Sequence, residues 1–200
     1  MPYLYLIRHP LTHVDPTRPS AEWDLSEQGR QQVDALISAP FWKGVAALYS
    51  SEQMKALGPA KMIGESYQIP VTALPGIAEV RRDKQVYRTN SSHQLILQEF
   101  FKSPDKVIEG WERAAAALDR FVQSTQHVVK NHPNESIALL SHGTILTLYT
   151  AFLDKQPPTL ARWVKIGFAS VATVDPVASK LLTQFEGPPY AGIPTPSETM

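Results

Sequence analysis

Cysteine is absent from the 200 residues, which excludes thiolate nucleophiles, disulfide staples and cysteine-ligated zinc. The absence leaves the compartment open, because many secreted proteins carry no disulfide either. An excess of charge is missing too, since 19 Lys and Arg offset 19 Asp and Glu. No global field draws the chain to nucleic acid or to an anionic membrane, so any attraction for an anion must be local. Long apolar runs are also lacking. The first, Tyr3 to Ile7, stops at Arg8 with no basic segment before it, too short for a signal peptide or a membrane span, and a cytoplasmic protein is the expectation.

What is present is enough apolar residue, 43% of the chain, for one substantial core and hardly for two. Residues 1–186 read as a single domain. Residues 187–200 read as a tail, irregular and loosely packed, with four prolines and two glycines. Strands are expected at 3–8, 46–50, 69–74, 136–141, 168–174 and 180–185. Helices are expected at 26–38 behind a Ser26 N-cap, from about 55 past Pro59, at 92–102, at 106–131, at 144–153 and in a short piece after Pro157 and Pro158. Strands alternating with helices imply a three-layer α/β/α sandwich around a mostly parallel central sheet. Neither a repeat nor an interdomain linker is visible.

Two of these strands end on a histidine. Leu4-Tyr5-Leu6-Ile7 runs into Arg8-His9, and Ile137-Ala138-Leu139-Leu140 runs into Ser141-His142-Gly143. Both runs are short and apolar, as buried parallel strands are, and ligands of open α/β sheets bind at the carboxyl edge. An imidazole there can act as nucleophile or base, and the guanidinium of Arg8 offers a bidentate fork for a phosphoryl group. Each pair by itself reads equally as a histidine hydrogen-bonded at a strand end. Together, with Gly143 opening a helix whose N–H groups suit an anion, they point to phosphate chemistry.

The segment Leu6-Ile7-Arg8-His9-Pro10-Leu11-Thr12 resembles the LIRHGET signature of the histidine phosphatase superfamily, which includes the cofactor-dependent phosphoglycerate mutases and many phosphomonoesterases. Further segments match in order: Leu25 to Gln32 is similar to LTExGRxQ, Tyr49-Ser50-Ser51 to YSS, Ile77-Ala78-Glu79 to LxE, and Ser141-His142-Gly143 to SHG. The resemblance implies a phosphoglycerate mutase-like fold and a metal-independent phosphomonoesterase needing no cofactor. It implies His9 as the nucleophile, Arg8 and His142 on the transferring oxygens, and Glu79 as general acid toward the leaving group. Glu79 then needs a pKa raised by burial beside the phosphate charge; as an ordinary loop residue it pairs instead with Arg81 or Arg82.

Departures from the pattern mark where this chain differs. Lys55 stands where the family carries a second phosphate-binding arginine, keeping charge without the bidentate fork. Pro10 replaces the glycine after the nucleophile and removes an N–H. Thr12 matches the family threonine, whose hydroxyl reaches the phosphate, and Asp15 stands where an asparagine is common. Gly143 completes the expected phosphate-binding set of Arg8, Thr12, Lys55 and His142. His13, His93, His127 and His132 are expected at the surface, and Trp23, Trp42, Trp111 and Trp163 in core or lid packing.

The expected reaction is hydrolysis of a small phosphorylated substrate. Phosphoglycerate mutase-type transfer is the close alternative, although the stretch after Glu79 lacks the glycines of the ERHYGxLxG pattern. Arg81, Arg82, Lys84 and Arg88 form the strongest basic cluster, with Arg81 and Arg82 as candidate ligands of a second anionic group or simply a solvated basic loop. A non-catalytic phosphate-ligand or protein-binding module is the alternative from another class, motivated by Lys55 and Pro10. Apolar positions on the late strands would suit a homodimer.

Overall fold

The structure is a computed structural model that describes residues 1–82 and 90–196. Lys84 and Arg88 of the basic cluster therefore lie outside the described residues. Six strands form one sheet: β1 (Leu4–Arg8), β2 (Val45–Ser50), β3 (Val71–Ala73), β4 (Ser136–Ser141), β5 (Val171–Asp175) and β6 (Lys180–Leu181). Their order is β3-β2-β4-β1-β5-β6, parallel through the first four, with β5 antiparallel to β1 and β6 to β5.

Alternation along the central strands builds the layers. Leu4 and Leu6 of β1 join Ile137 and Leu139 of β4 on one face, whereas Tyr5 and Ile7 join Ala138 and Leu140 on the other. The first face is covered by α3 (Asn90–Lys102), α4 (Ala114–Asn131) and α5 (Gly143–Leu153), through Leu97, Phe121 and Ile145. The second is covered by α1 (Glu27–Ile37) and α2 (Met54–Tyr67), through Leu36, Ala56, Ala60 and Ile63. A short α6 (Leu160–Lys165) precedes β5. Helices on both faces of a mostly parallel sheet are the three-layer arrangement expected. No helix of the described residues is long and apolar enough to cross a membrane.

Four expectations are corrected. The helix expected from 106 begins only at Ala114, because Glu109 and Gly110 adopt positive φ of 53° and 74° and Trp111 instead bridges to Arg82. The strands expected at 69–74 and 180–185 shrink to Val71–Ala73 and Lys180–Leu181. In the first case a left-handed Gln68 closes α2 just before Pro70. In its described residues, 187–196, the tail is anchored rather than loose: Tyr190 and Ile193 are buried in the second core, and the Tyr190 hydroxyl donates to Ala169 O at 2.8 Å.

The loop leaving β1 is fastened to the start of α1. Ser26 caps α1 by accepting from Gly29 N, its own N donates to Leu11 O, and Gln32 Oε1 accepts from Leu11 N at 2.8 Å. A Cβ on Gly29 would lie 1.9 Å from Leu11 O. The glycine and glutamine of the Ser26–Gln32 motif thus hold the backbone that follows His9. Gly29→Ala is expected to destabilise the fold by about 1–3 kcal/mol through overpacking. Gly187→Ala, at a site with nothing within 4 Å, is expected to stay within about 0.5 kcal/mol; thermal unfolding of both checks the pair.

Candidate active site

Pairing of β2, β4 and β1 in parallel brings their carboxyl ends side by side. His9 N donates to Ser141 O at 2.9 Å and Ser51 N to Leu140 O at 3.0 Å, so His9, Ser51 and His142 gather at one sheet edge. The His9 and His142 rings stand 5.1 Å apart between centroids. Both residues are buried.

The tautomer of His9 follows from its partner. His9 Nδ1 lies 2.8 Å from Pro10 O, and a carbonyl can only accept, so Nδ1 carries the proton and Nε2 its lone pair. Pro10 therefore replaces a glycine without disturbing this contact, which uses its carbonyl. Burial above all, then the charges of Lys55, His142 and Arg8, holds the His9 pKa well below the usual 6.5. His142 is lowered in the same way by burial and then by Lys55 and Arg8. Its Nε2 sits 2.8 Å from Ser51 Oγ, while Nδ1 is buried without a partner among the described residues.

Arg8 donates through Nη1 to Ile166 O, and its guanidinium carbon lies 3.8 Å from the Phe168 ring centroid and 5.6 Å from that of Trp163. Its Nε, buried, has no partner among the described residues. A Cβ at position 143 would come within 3.1 Å of this guanidinium, so Gly143 lets Arg8 lie against the start of α5. Burial lowers the Arg8 pKa to about 10, partly offset by the Glu79 charge.

Lys55 enters from the first turn of α2 and is buried, with Nζ donating to Ser20 O at 3.1 Å. Burial lowers its pKa to about 8, against the opposing pull of Glu79. It is not an ordinary exposed helix lysine. Its charge is felt by both histidines, which puts it beside the His9 and His142 pair.

Glu79 does something the sequence did not suggest. Its Oε2 accepts from Thr144 N at 3.1 Å and its Oε1 from Ile145 N and Val80 N, each at 3.0 Å. The helix N-terminus expected to receive an anion therefore receives this carboxylate. Burial pushes the Glu79 pKa up, but Arg82, the Val80 and Thr144 amides and Lys55 together outweigh it and leave the carboxyl below its usual range. The expected upward shift is thus not what these surroundings produce.

The remaining candidates divide. Arg82 stacks over Trp111 with its guanidinium carbon 4.2 Å from the ring centroid, and its charge reaches Glu79, Lys55 and His142. Arg81 is exposed, and its backbone pairs with Glu112 instead. Thr12 is buried in the loop that bridges to Leu25. The Asp15 carboxylate closes a local turn on Thr17 N and Oγ1, and Trp23 Nε1 donates to Asp15 O.

Two histidines expected at the surface are not simply solvated. His93 packs between Trp111 and Trp163, with centroids 5.5 and 5.8 Å away. His132 bridges the Tyr49 hydroxyl at 2.8 Å and Glu135 Oε2 at 2.6 Å.

Comparison with known proteins fits this geometry. Residues 4–182 match the family model described as histidine phosphatase superfamily (branch 1). The chain belongs to the histidine phosphatase superfamily. Among solved structures it is similar to Bacillus stearothermophilus YhfR, with a TM-score of 0.74 and 22% identity over 94% of this chain and 97% of that one. It is also similar to a mycobacterial glucosyl-3-phosphoglycerate phosphatase, with a TM-score of 0.72 and 19% identity over 94% and 98% of the two chains. A third is the Entamoeba histolytica phosphoserine phosphatase solved with 3-phosphoglyceric acid, with a TM-score of 0.71 and 18% identity over 95% and 99%. No curated protein sequence matches significantly.

Sequence reasoning about this member of the histidine phosphatase superfamily missed Phe168, which stacks on Arg8 from a loop without a motif, and Ser51 as the partner of His142. Only the YSS resemblance marked the latter. It missed as well that Glu79 caps α5.

The cap has a stability consequence with a definite sign. The folded pKa of Glu79 lies below the unfolded one, so its contribution is fully present above the ordinary glutamate range and is lost as pH falls through the lowered folded value. Glu79→Gln is expected to cost about 1–3 kcal/mol at neutral pH, the loss of charged hydrogen bonds to buried amides. The gap between variant and wild type should close in acid, which chemical denaturation at several pH values measures.

Proposed function

We infer that this protein hydrolyses a small phosphomonoester through a phosphohistidine on His9. The observation that carries the reading is the Pro10 carbonyl on His9 Nδ1. Together with a pKa held well below 6.5, it leaves Nε2 unprotonated at neutral pH, as a nucleophile requires. Family membership supports an enzyme of the phosphatase or mutase type.

In this mechanism the Nε2 lone pair of His9 forms the bond to phosphorus as the ester P–O bond breaks. Arg8, Lys55 and His142 offset the charge on the transferring oxygens, with Thr12 and Gly143 beside them. Arg8 Nε and His142 Nδ1, buried without a partner among the described residues, support this, because a phosphate oxygen or hydroxyl at these groups would recover the cost of leaving them unsatisfied. Glu79 supplies the proton that the leaving alkoxide needs. A phosphate dianion beside it opposes its ionisation, raising the pKa toward the range of a working acid. Water then cleaves the phosphohistidine, with the Glu79 carboxylate taking its proton, and phosphate leaves.

Arg82, whose charge is felt inside the cluster, is the better candidate of the two arginines for an anionic group on the substrate, and the exposed Arg81 the weaker. Transfer to a second hydroxyl instead of water is the mutase form of the same chemistry. The segment Glu79-Val80-Arg81-Arg82 lacks the glycines that go with it.

Incubation with 4-nitrophenyl phosphate tests the reading: hydrolysis together with acid-labile phosphate on His9 is expected, and His9→Asn should abolish both. Absence of hydrolysis and of phosphoprotein would favour a binding module, and transfer to 3-phosphoglycerate with a bisphosphate primer would favour a mutase. Competitive inhibition by inorganic phosphate should weaken as pH rises through about 8, where Lys55 loses its proton. Lys55→Arg should hold its affinity to higher pH, and identical profiles would remove Lys55 from the site.

A further inference from the structure

The segment carrying Glu79 is fixed through its backbone. Gly76 O, Ala78 O and Glu79 O each accept from the Arg120 guanidinium, at 2.9, 2.8 and 2.9 Å. Ile77 O accepts from Ser141 Oγ at 2.6 Å. Four successive carbonyls are thus held, three of them by one side chain from α4. A Cβ at position 76 would lie 1.7 Å from Ser124 Oγ, so this segment lies against α4 as closely as glycine allows.

Arg120 is itself held in place. Its Nε and Nη2 donate to the two carboxylate oxygens of Glu112, each at 2.9 Å, a bidentate pair that fixes the plane of the guanidinium. The side chains are 15% and 12% exposed, shielded enough from water for the geometry to persist. Glu112 also grips the chain beyond Glu79, accepting from Arg81 N at 2.9 Å through Oε2 and donating its own N to Arg81 O at 2.8 Å. The five hydrogen bonds of Arg120 are all spent on the acid-bearing segment or on Glu112.

We propose that Arg120, oriented by Glu112, is a positioning residue that sets where the Glu79 carboxyl meets the leaving group. The proposal rests on the reading of Glu79 as proton donor. Arg120 hydrogen-bonds to none of Arg8, His9, Lys55 or His142, although its charge reaches His142; it acts through the carbonyls of residues 76, 78 and 79. Proton transfer demands hydrogen-bond reach, so a displaced carboxyl fails at that step while the nest of Arg8, His9, Lys55 and His142 keeps its affinity for phosphate.

The test compares two leaving groups in Arg120→Met, Arg120→Lys and Glu112→Gln. For glycerol phosphate, whose alkoxide must be protonated, kcat/KM, which reports the phosphorylation of His9, should fall about 100-fold in Arg120→Met, the scale of a misplaced catalytic group. For 4-nitrophenyl phosphate, whose leaving group needs no proton, kcat/KM should stay near wild type, as should inhibition by inorganic phosphate, while kcat of both esters also carries the shared hydrolysis of the phosphohistidine in which Glu79 takes the proton of water. Arg120→Lys, restoring one donor set without the fork, should recover part of the loss, and Glu112→Gln should show a weaker loss of the same selectivity. Equal losses of kcat/KM on both esters, a loss confined to KM and phosphate affinity, or no loss at all would overturn the proposal. If Arg120→Met does not fold, the lysine and glutamine variants decide by the same ratio. Failure of the phosphatase reading is seen separately, in a wild-type protein that hydrolyses neither ester, and the positioning role then falls with it.

Discussion

The half-buried carboxylate of Glu79 balances this site. Arg8, Lys55 and Arg82 bring three positive groups to one sheet edge beside two histidines, and Glu79 is the acidic group whose charge opposes them. It does so while capping α5, a helix buried along most of its length, so its two oxygens serve both the electrostatics of the site and the end of a core element. Remove the charge and the cations repel one another in a poorly solvated place. The segment that bears it, the start of α5 and the strand ends of β1 and β4 are thereby made parts of one unit.

That arrangement has a chemical consequence. A proton donor whose carboxyl is depressed by its surroundings is a poor acid, yet the same surroundings are poised to change when a dianion joins them. Of the cations that hold Glu79 ionised, Lys55 is proposed to bind the phosphate and Arg82 an anionic group of the same substrate. Acidity of Glu79 in this scheme is therefore coupled to occupancy of the site, and the free protein keeps the carboxylate as the anion on the α5 amides. Lys55, with a pKa near 8, shows the opposite side of the same compression: burial strips charge from the bases as readily as neighbours hold it on the acid.

Much of this was legible in the sequence for identifiable reasons. Tyr3 to Ile7 and Ile137 to Leu140 alternate between the two faces of the sheet and end on polar residues, so strand, layer and site position follow from one short run each. Ser26 announced α1 through its capping chemistry. The start of α4 was not legible, since nothing in Ser103-Pro104-Asp105 reveals that Glu109 and Gly110 turn to positive φ. The burial of Tyr190 was hidden by the prolines around it, which exclude regular structure but not packing. Contacts between distant segments were invisible by nature. Glu79 on Thr144 and Ile145, Arg120 on the carbonyls of 76, 78 and 79, and Phe168 on Arg8 join residues that no local pattern relates.

The state of the Glu79 carboxyl is the quantity on which the scheme turns. Its titration by carbon NMR, with the glutamate side-chain carboxyl labelled, should be followed in the free protein and in the presence of saturating vanadate. A midpoint below the ordinary glutamate range in the free protein, moving upward when vanadate occupies the site, is the expected result. An unchanged midpoint, or one already raised in the free protein, would contradict the proposed coupling between phosphate binding and the acid.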